Sequence, residues 1–305
     1  MEIRPFLYVN QIAECGSMTK AAAALFITQP ALSNYISKLE EELGVRLFDR
    51  SVTPLRLTYA GERYLAYTRR ILMQVGDLER EMRDISRNQR GRIRLGFPGE
   101  RMICMLPVLL PAFQEKYPGI RIETENGSAE QLVRALREGD VDFVFLPMWE
   151  KHRGISHQKI AEEELILVAR KGYLPEDALT NPEKRIFNRE RLGDFPLLTL
   201  HRGHALRSRI DLLMKELGIQ PDIFLESHSN MLSCRLAAQG SGVALVPEIS
   251  LRMLAEDGKT EWYNLGETPV TWDVNILWRE DAYLGEAEKD LIAMAEALFG
   301  GNAAP

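Results

Sequence analysis

His201 and His204 stand three residues apart, a spacing that could bring two imidazoles together on a helix, and they are the nearest thing to a metal-ligand pair in this 305-residue chain. The pair lies beside an expected strand end and lacks obvious partner ligands. A solvated loop or a contact with a phosphate-like ligand is therefore the expectation, and no metal is expected. Cys15, Cys104 and Cys234 are odd in number, widely separated and never arranged as Cys-x-x-Cys. Neither a disulfide framework nor a zinc site follows, and buried free thiols do. No Walker loop, Gly-x-Gly-x-x-Gly fingerprint, Gly-x-Ser-x-Gly elbow or His-Glu-x-x-His occurs. An enzyme stays open as an alternative, because α/β lobes host many reactions and fold alone does not exclude one.

Chemistry of recognition is better represented. Thr28 is placed to cap a helix running to about Leu43, with Pro30 in the first turn, where a missing backbone donor does little harm. Leu32, Tyr35, Ile36, Leu39 and Leu43 recur at three- and four-residue intervals and are expected to pack inward. Gln29, Pro30, Ser33, Asn34, Ser37 and Lys38 then form a small, polar, weakly basic outer side. Such a surface can enter the DNA major groove, with Gln29, Asn34 or Lys38 bonding base edges or phosphates, and Asn34 suited to bidentate reading of adenine. An ordinary solvated helix face is the alternative, since Glu40, Glu41 and Glu42 follow and must point away from phosphate.

The flanking elements favour DNA. Arg4–Glu14 reads as a short helix with Phe6, Val9 and Ala13 on one face. Ser17 can cap an alanine-rich second helix, Met18 to Leu25. After the third helix, residues 44–50 and 55–57 read as two short strands around the turn at 51–54. These make a wing, on which Arg50, Thr53 and Arg56 can reach phosphate or the minor groove. Residues 1–70 hold nine Lys or Arg against seven Asp or Glu, although the whole chain carries a formal charge of −6. The acidic excess lies downstream, so local DNA contact is compatible with an acidic protein.

Four fragments in order, Gly16-Ser17-Met18-Thr19-Lys20-Ala21-Ala22, Thr28-Gln29-Pro30-Ala31-Leu32-Ser33, Leu39-Glu40-x-x-Leu43-Gly44-Val45-x-Leu47-Phe48-x-Arg50 and Leu57-Thr58-x-Ala60-Gly61, carry a family resemblance. The chain resembles a LysR-type transcriptional regulator, with a winged helix-turn-helix over residues 1–58 and the helix-turn-helix itself at about 18–37. A basic residue is frequent at the family position matching Asn34.

Thr58 opens a helix to about Asn88 on which Tyr64, Thr68, Ile71, Val75, Leu78, Met82 and Ile85 alternate steps of four and three. Dense charge off that stripe leaves one narrow face to bury. Tyr64, Ile71, Val75, Leu78, Met82 and Ile85 are accordingly expected to form a dimer seam, with a core helix of one domain as the alternative. The resemblance implies the same linker over 59–88 and, beyond the homodimer, a homotetramer.

From Ile93 onward strands alternate with amphipathic helices, twice over, as in an α/β fold. Residues 165–169 and 270–278 read as strands crossing between two lobes, and a terminal helix follows at about 285–299. An effector-binding domain is expected over 89–305, with lobe I at about 91–163 and 269–299 and lobe II at about 164–268. The resemblance implies a regulatory domain similar in fold to periplasmic solute-binding proteins, here supported by Leu106-Pro107, Leu136-x-x-Gly139-x-Val141-Asp142 and Gly240-x-Gly242-Val243. Ligands of open α/β sheets sit beyond the carboxyl ends of strands. The candidate effector residues are therefore Pro98, Glu100, Arg101, Ser128, Pro147, Trp149, His201, Arg202, Ser227 and Asn230. A helix start at Ser128, with Arg101 and Arg202, suits a small organic anion. Each residue taken singly could equally be loop surface or a helix cap.

No cofactor is expected beyond this unknown small-molecule effector. The partners expected are double-stranded DNA bearing an interrupted palindrome, further copies of the chain and, as a candidate, RNA polymerase. Hydrophobic residues at 45% and charged residues at 27% describe a globular protein. With neither a membrane span nor a signal-peptide pattern at Met1–Pro5, a cytoplasmic location is expected. A free solute-binding protein is a second alternative, but it would need export and would not carry residues 1–88.

Overall fold

A computed structural model describes residues 3–86, 90–147, 151–254 and 258–300. The chain divides into two compact units, Met1–Ile85 and Ser86–Pro305.

In the first unit, helix α1 (Arg4–Cys15) buries Phe6, Val9 and Ile12, three residues apart, and ends at Gly16 in the left-handed region, φ 57°. Ser17, in extended conformation, accepts from the Lys20 amide and starts α2 (Met18–Ala24). The buried side of α2 is Ala21 and Ala22, small enough for close helix approach. Thr28 accepts from Ala31 N–H at 3.4 Å and starts α3 (Gln29–Leu43), which Gly44 terminates at φ 68°. Strands β1 (Phe48–Asp49) and β2 (Arg56–Leu57) pair antiparallel as the wing. Val9, Ile12, Leu32, Ile36, Leu47 and Phe48 share one core.

Two expectations for α3 need correction. Leu43 is 43% exposed, because the helix ends there with its last turn beyond the core. Glu40, read with Glu41 and Glu42 as a run that must point away from phosphate and favours a solvated face, is buried. Its Oε1 accepts from the amides of Leu47 (2.8 Å) and Phe48 (3.2 Å), and its Oε2 pairs with Arg50 at 3.0 Å. Burial of a carboxylate costs free energy unless its acceptor capacity is filled, and here two wing amides and a guanidinium fill it.

Helix α4 (Tyr59–Ile85) has 27 residues, about 40 Å at 1.5 Å per residue. Its first half packs on its own head: the Tyr64 ring meets Phe6 edge-on at 6.2 Å, Arg69 Nε donates to Asn10 Oδ1 at 3.0 Å, and Thr68 is buried. Tyr64 is thereby engaged with α1 and stays half-buried. Farther on, Ile71 and Val75 are half-buried and Leu78 and Met82 are 55% and 47% exposed. The side chain of Ile85 and the residues around Asn88 lie outside the described part.

The second unit begins with β3 (Gly91–Pro98), α5 (Arg101–Lys116), β4 (Ile120–Gly127), α6 (Ala129–Glu138) and β5 (Phe143–Pro147). After β6 (Ile155–Arg170) come β7 (Leu179–Asn181), β8 (Ile186–Phe187), β9 (Leu197–Leu200), α7 (Ala205–Leu217), β10 (Ile223–Ser227), α8 (Asn230–Gln239), β11 (Val243–Pro247) and β12 (Thr260–Leu265). Strand β13 (Thr271–Arg279) returns and α9 (Glu286–Phe299) closes the unit. The main strand order is β10-β9-β11-β6-β13-β5-β3-β4. β3 is parallel to β4 and β5, and β9 to β10 and β11, as helical connections require.

Strand β6 joins the two lobes. Residues 155–164 pair antiparallel with β13, whereas residues 165–170 pair with β11 and β12. β6 thus crosses between two parallel sheets, whereas β13, expected over 270–278 to cross as well, pairs among the described residues only with β5 and the lobe I half of β6. The carboxyl ends of β3, β4, β5, β9, β10 and β11, and the starts of α5 to α8, face the same region.

Candidate functional site

The side of α3 expected to read DNA is exposed over most of its length. Gln29, Pro30, Asn34 and Lys38 are exposed, and Ser33 and Ser37 are half-buried. Thr28 uses its hydroxyl to cap the helix, which fixes the direction in which Gln29 leaves the turn. Thr53 and Arg56 are exposed on the wing. Arg50 has a structural engagement as well, since Nη2 donates to Ser37 Oγ at 3.2 Å and to Glu40 at 3.0 Å. Wing and helix are therefore joined through one carboxylate. Sequence reasoning passed over Phe26, which sits in the α2–α3 turn at φ 55° and is 96% exposed. Its only signal was a large apolar residue in a turn.

In the second unit a cavity of about 350 Å³ lies between the lobes. Of the candidates read from the sequence, Pro98, Glu100, Arg101, Ser128, Pro147, Arg202 and Asn230 line it. His201 and Ser227 do not. The His201 ring packs on that of His228 with centroids 4.5 Å apart, and the buried Ser227 hydroxyl donates to Ser229 O at 3.1 Å. Trp149 lies outside the described residues. His204, read in the sequence as a loop residue or a contact for a phosphate-like ligand, also lines it, and lining residues missed in the sequence include Cys104, Leu206, Ile249, Met253 and Trp272, which give the cavity an apolar body. Most of these stand on helices or the returning strand, where an amphipathic pattern does not reveal which apolar residue borders a void.

The charges are arranged differently from the expectation. Arg101 is not an available cation. Its guanidinium grips Glu163 through two bonds of 2.5 and 2.9 Å, with both side chains 8% exposed, and Trp272 Nε1 donates to Glu163 Oε2 at 2.9 Å. Burial alone would lower the Arg101 pKa, yet Glu163 more than compensates and raises it. Arg202 is exposed and has no ion pair among the described residues. Glu100 does not oppose Arg101. It turns to the other lobe, where its carboxylate accepts from the Ser229 hydroxyl at 2.5 Å and from Met231 N–H at 2.8 Å.

The helix starts around the cavity differ too. Ser128 and Gln131 close the start of α6 reciprocally in a capping box. Ser229 caps α8 by accepting from Leu232 N–H. At the start of α7, His204 makes no side-chain cap and instead places Nε2 3.2 Å from Nδ1 of His228. Burial, then the nearby His228 and His201, lowers the His204 pKa. Among the described residues no group of three or more His, Cys, Asp or Glu is assembled to hold a metal. Burial pushes the Cys104 and Cys234 thiols up to about 11 and about 12, so both are protonated at neutral pH.

Residues 86–300 match the model of the LysR substrate binding domain, and residues 3–62 match that of the bacterial regulatory helix-turn-helix protein, lysR family. The chain belongs to the LysR family. A relative of this LysR-type regulator is YybE, an HTH-type transcriptional regulator of Bacillus subtilis, 30% identical over 249 residues, covering 82% of the chain and 83% of the relative. CzcR of Bacillus subtilis is 26% identical, with 96% of each chain covered. In fold, the chain is similar to a full-length OxyR point variant from Pseudomonas aeruginosa, with TM-score 0.76, 24% identity and coverage of 98% of this chain and 94% of that one. It is also similar to CbnR complexed with its target DNA, with TM-score 0.66, 24% identity and coverage of 97% and 100%. The LysR-type regulator is thus a DNA-binding transcription regulator with a small-molecule effector domain, and neither an enzyme nor a free solute-binding protein. No helix among its described residues is long and apolar enough to cross a membrane.

Proposed function

We propose that this regulator senses a small organic anion in the interlobe cavity and changes how it engages an interrupted palindromic operator. The observation that carries the reading is convergence: seven candidate residues from separate strand and helix ends of both lobes border one cavity of about 350 Å³. That volume suits a compact metabolite, with Arg202 and Asn230 to orient it and Leu206, Ile249 and Met253 to enclose its body. A ligand shifts an equilibrium only through unequal affinity for two states, and groups on both lobes meet one ligand together only in the closed state.

DNA recognition is assigned to Gln29, Pro30, Ser33, Asn34, Ser37 and Lys38 of α3, with Thr28 capping it and Arg50, Thr53 and Arg56 from the wing. The functional segments are residues 1–58 for DNA, 59–88 for dimerisation and 89–305 for the effector, with lobe I at about 91–163 and 269–299 and lobe II at about 164–268. Ile71, Val75, Leu78 and Met82 supply the seam of a homodimer, which pairs into a tetramer working in the cytoplasm beside RNA polymerase. The exposed apolar Leu78 and Met82 support the seam. Two linked heads raise avidity by about 10² to 10⁴, which a weakly basic head needs.

The test is to map genomic binding sites and then titrate carboxylates of the neighbouring pathway calorimetrically into wild type, Ser128→Ala and Arg202→Ala. Footprints with and without the best binder complete it. Weaker binding by Arg202→Ala and an altered footprint are expected. Equal binding by all three proteins would remove Ser128 and Arg202 from the site, and an unchanged footprint at saturation would remove the switch.

A further inference from the structure

Each lobe contributes helix starts to the cavity, and a helix start attracts anions because its first amides are unpaired and the peptide dipoles align there. At α6 the capping box of Ser128 and Gln131 meets this demand locally. At α8 Ser229 caps the Leu232 amide locally, and the Met231 amide is met from the opposite lobe. Gly99, at φ 54°, turns the chain after β3 and its carbonyl accepts from Asn126 Nδ2 at 2.6 Å. This turn delivers Glu100 to lobe II, where Oε1 receives the Ser229 hydroxyl and Oε2 receives the Met231 amide. Ser229 is itself held, by Ser227 Oγ accepting from its amide at 3.2 Å. Glu100 does nothing comparable for its own helix, since α5 has no side-chain cap.

We propose that Glu100 is a built-in ligand: its carboxylate occupies the anion position at the start of α8, ties lobe I to lobe II across the cavity, and must be released when an external anion takes that position. The second half of the statement rests on the cavity being the effector site; the first half stands on the interlobe contact alone. The consequence is specificity as well as restraint. A neutral molecule cannot replace a carboxylate at a hydroxyl and an amide at a helix start without losing charge-assisted bonds, so the contact selects for anions. It also sets a threshold, because the apparent affinity for an effector is reduced in proportion to the fraction of protein in which Glu100 has let go.

The experiment compares full-length wild type, Glu100→Gln and Glu100→Ala by hydrogen exchange without any effector, following residues 229–234 of lobe II and residues 127–132 of lobe I. Glu100→Gln keeps the size of the side chain and guards against a folding defect in Glu100→Ala. If Glu100 ties the lobes, exchange on both walls rises by about 10- to 100-fold, the range for losing hydrogen bonds to a charged group. A rise confined to 229–234 would make Glu100 only a helix cap, and no rise would mean that the contact is not made in solution. Either result overturns the proposal. A second arm titrates benzoate as a carboxylate probe, with about tenfold or greater tightening expected in Glu100→Ala. Tightening confirms the competition and unchanged measurable affinity refutes it. If no protein binds benzoate, competition for this probe fails, whereas the exchange result still decides whether the lobes are tied.

Discussion

Glu40 offers the most direct physical test of how the DNA-reading head is held together. Replacing it by alanine removes the acceptor of two amides whose residues, Leu47 and Phe48, are each 1% exposed, and it leaves Arg50 without its carboxylate. Hydrogen bonds to a charged group are worth about 1.5 to 3 kcal/mol each, so two amide bonds set a scale of about 3 to 6 kcal/mol. The Arg50 pair adds little, about 0 to 1 kcal/mol, because Arg50 is 39% exposed and solvent screens it. Some water will reach the freed amides in the alanine cavity, which places the expected loss toward the low end, at about 3 to 4 kcal/mol. That is a large share of the stability of a domain this small, about 4 to 13 kcal/mol at about 0.05 to 0.15 kcal/mol per residue. Calorimetric unfolding of the full-length protein should show the transition of the head falling by at least about 12 °C, using about 4 to 8 °C per kcal/mol, while that of the effector domain stays in place. Glu40→Gln retains an amide oxygen for the two N–H groups and should recover most of the loss. A head transition within about 2 °C of wild type in Glu40→Ala would refute the argument.

Ile71→Glu combined with Leu78→Glu puts carboxylates at a half-buried and an exposed position of the apolar stripe of α4. Sedimentation should show smaller assemblies and operator affinity should drop by about 100-fold or more, whereas unchanged mass would dismiss the seam. Arg101→Met strands Glu163 in a site where it is 8% exposed and should cost about 3 to 5 kcal/mol in denaturant unfolding of the effector domain, while Arg101→Met with Glu163→Leu should recover stability. Full activity and stability in Arg101→Met would mean that the pair is unimportant. Because the folded-state pKa of His204 is depressed below its ordinary value of 6.5, the unfolded chain binds more protons as pH falls through about 6.5, so stability declines on acidification down to the folded pKa. His204→Asn should flatten that segment of the stability–pH curve, and an unaltered curve would exclude the residue.

The head was legible because its pattern is local: caps at Ser17 and Thr28 and apolar residues at helical spacing each specify themselves. Glu40 was misread for the opposite reason. Its partners are seven and eight residues away on another element, and only the folded wing makes burial of a charge favourable. The effector domain shows the same division. Strand ends located most of the cavity, yet the assignment of charge failed at Arg101, because Glu163 and Trp272 reach it from distant strands. Residues 155–164 of β6 mix polar and charged side chains and so carry no apolar run to mark them as strand, although they are the half that pairs with β13. His201 and Ser227 were placed at the cavity from position in sequence, but at the ends of β9 and β10 their side chains meet His228 and the Ser229 carbonyl instead.

The contact of Tyr64 with Phe6 and of Arg69 with Asn10 makes the head and the first turns of α4 one rigid piece, and this turns the helix into a lever. With a length of about 40 Å, a tilt of about 5° at the far end swings the near end through about 3.5 Å. That is roughly the 3.4 Å by which successive phosphates advance along a strand of DNA. A rotation of α4 by a few degrees is therefore enough to carry everything packed on its first turns through one such step.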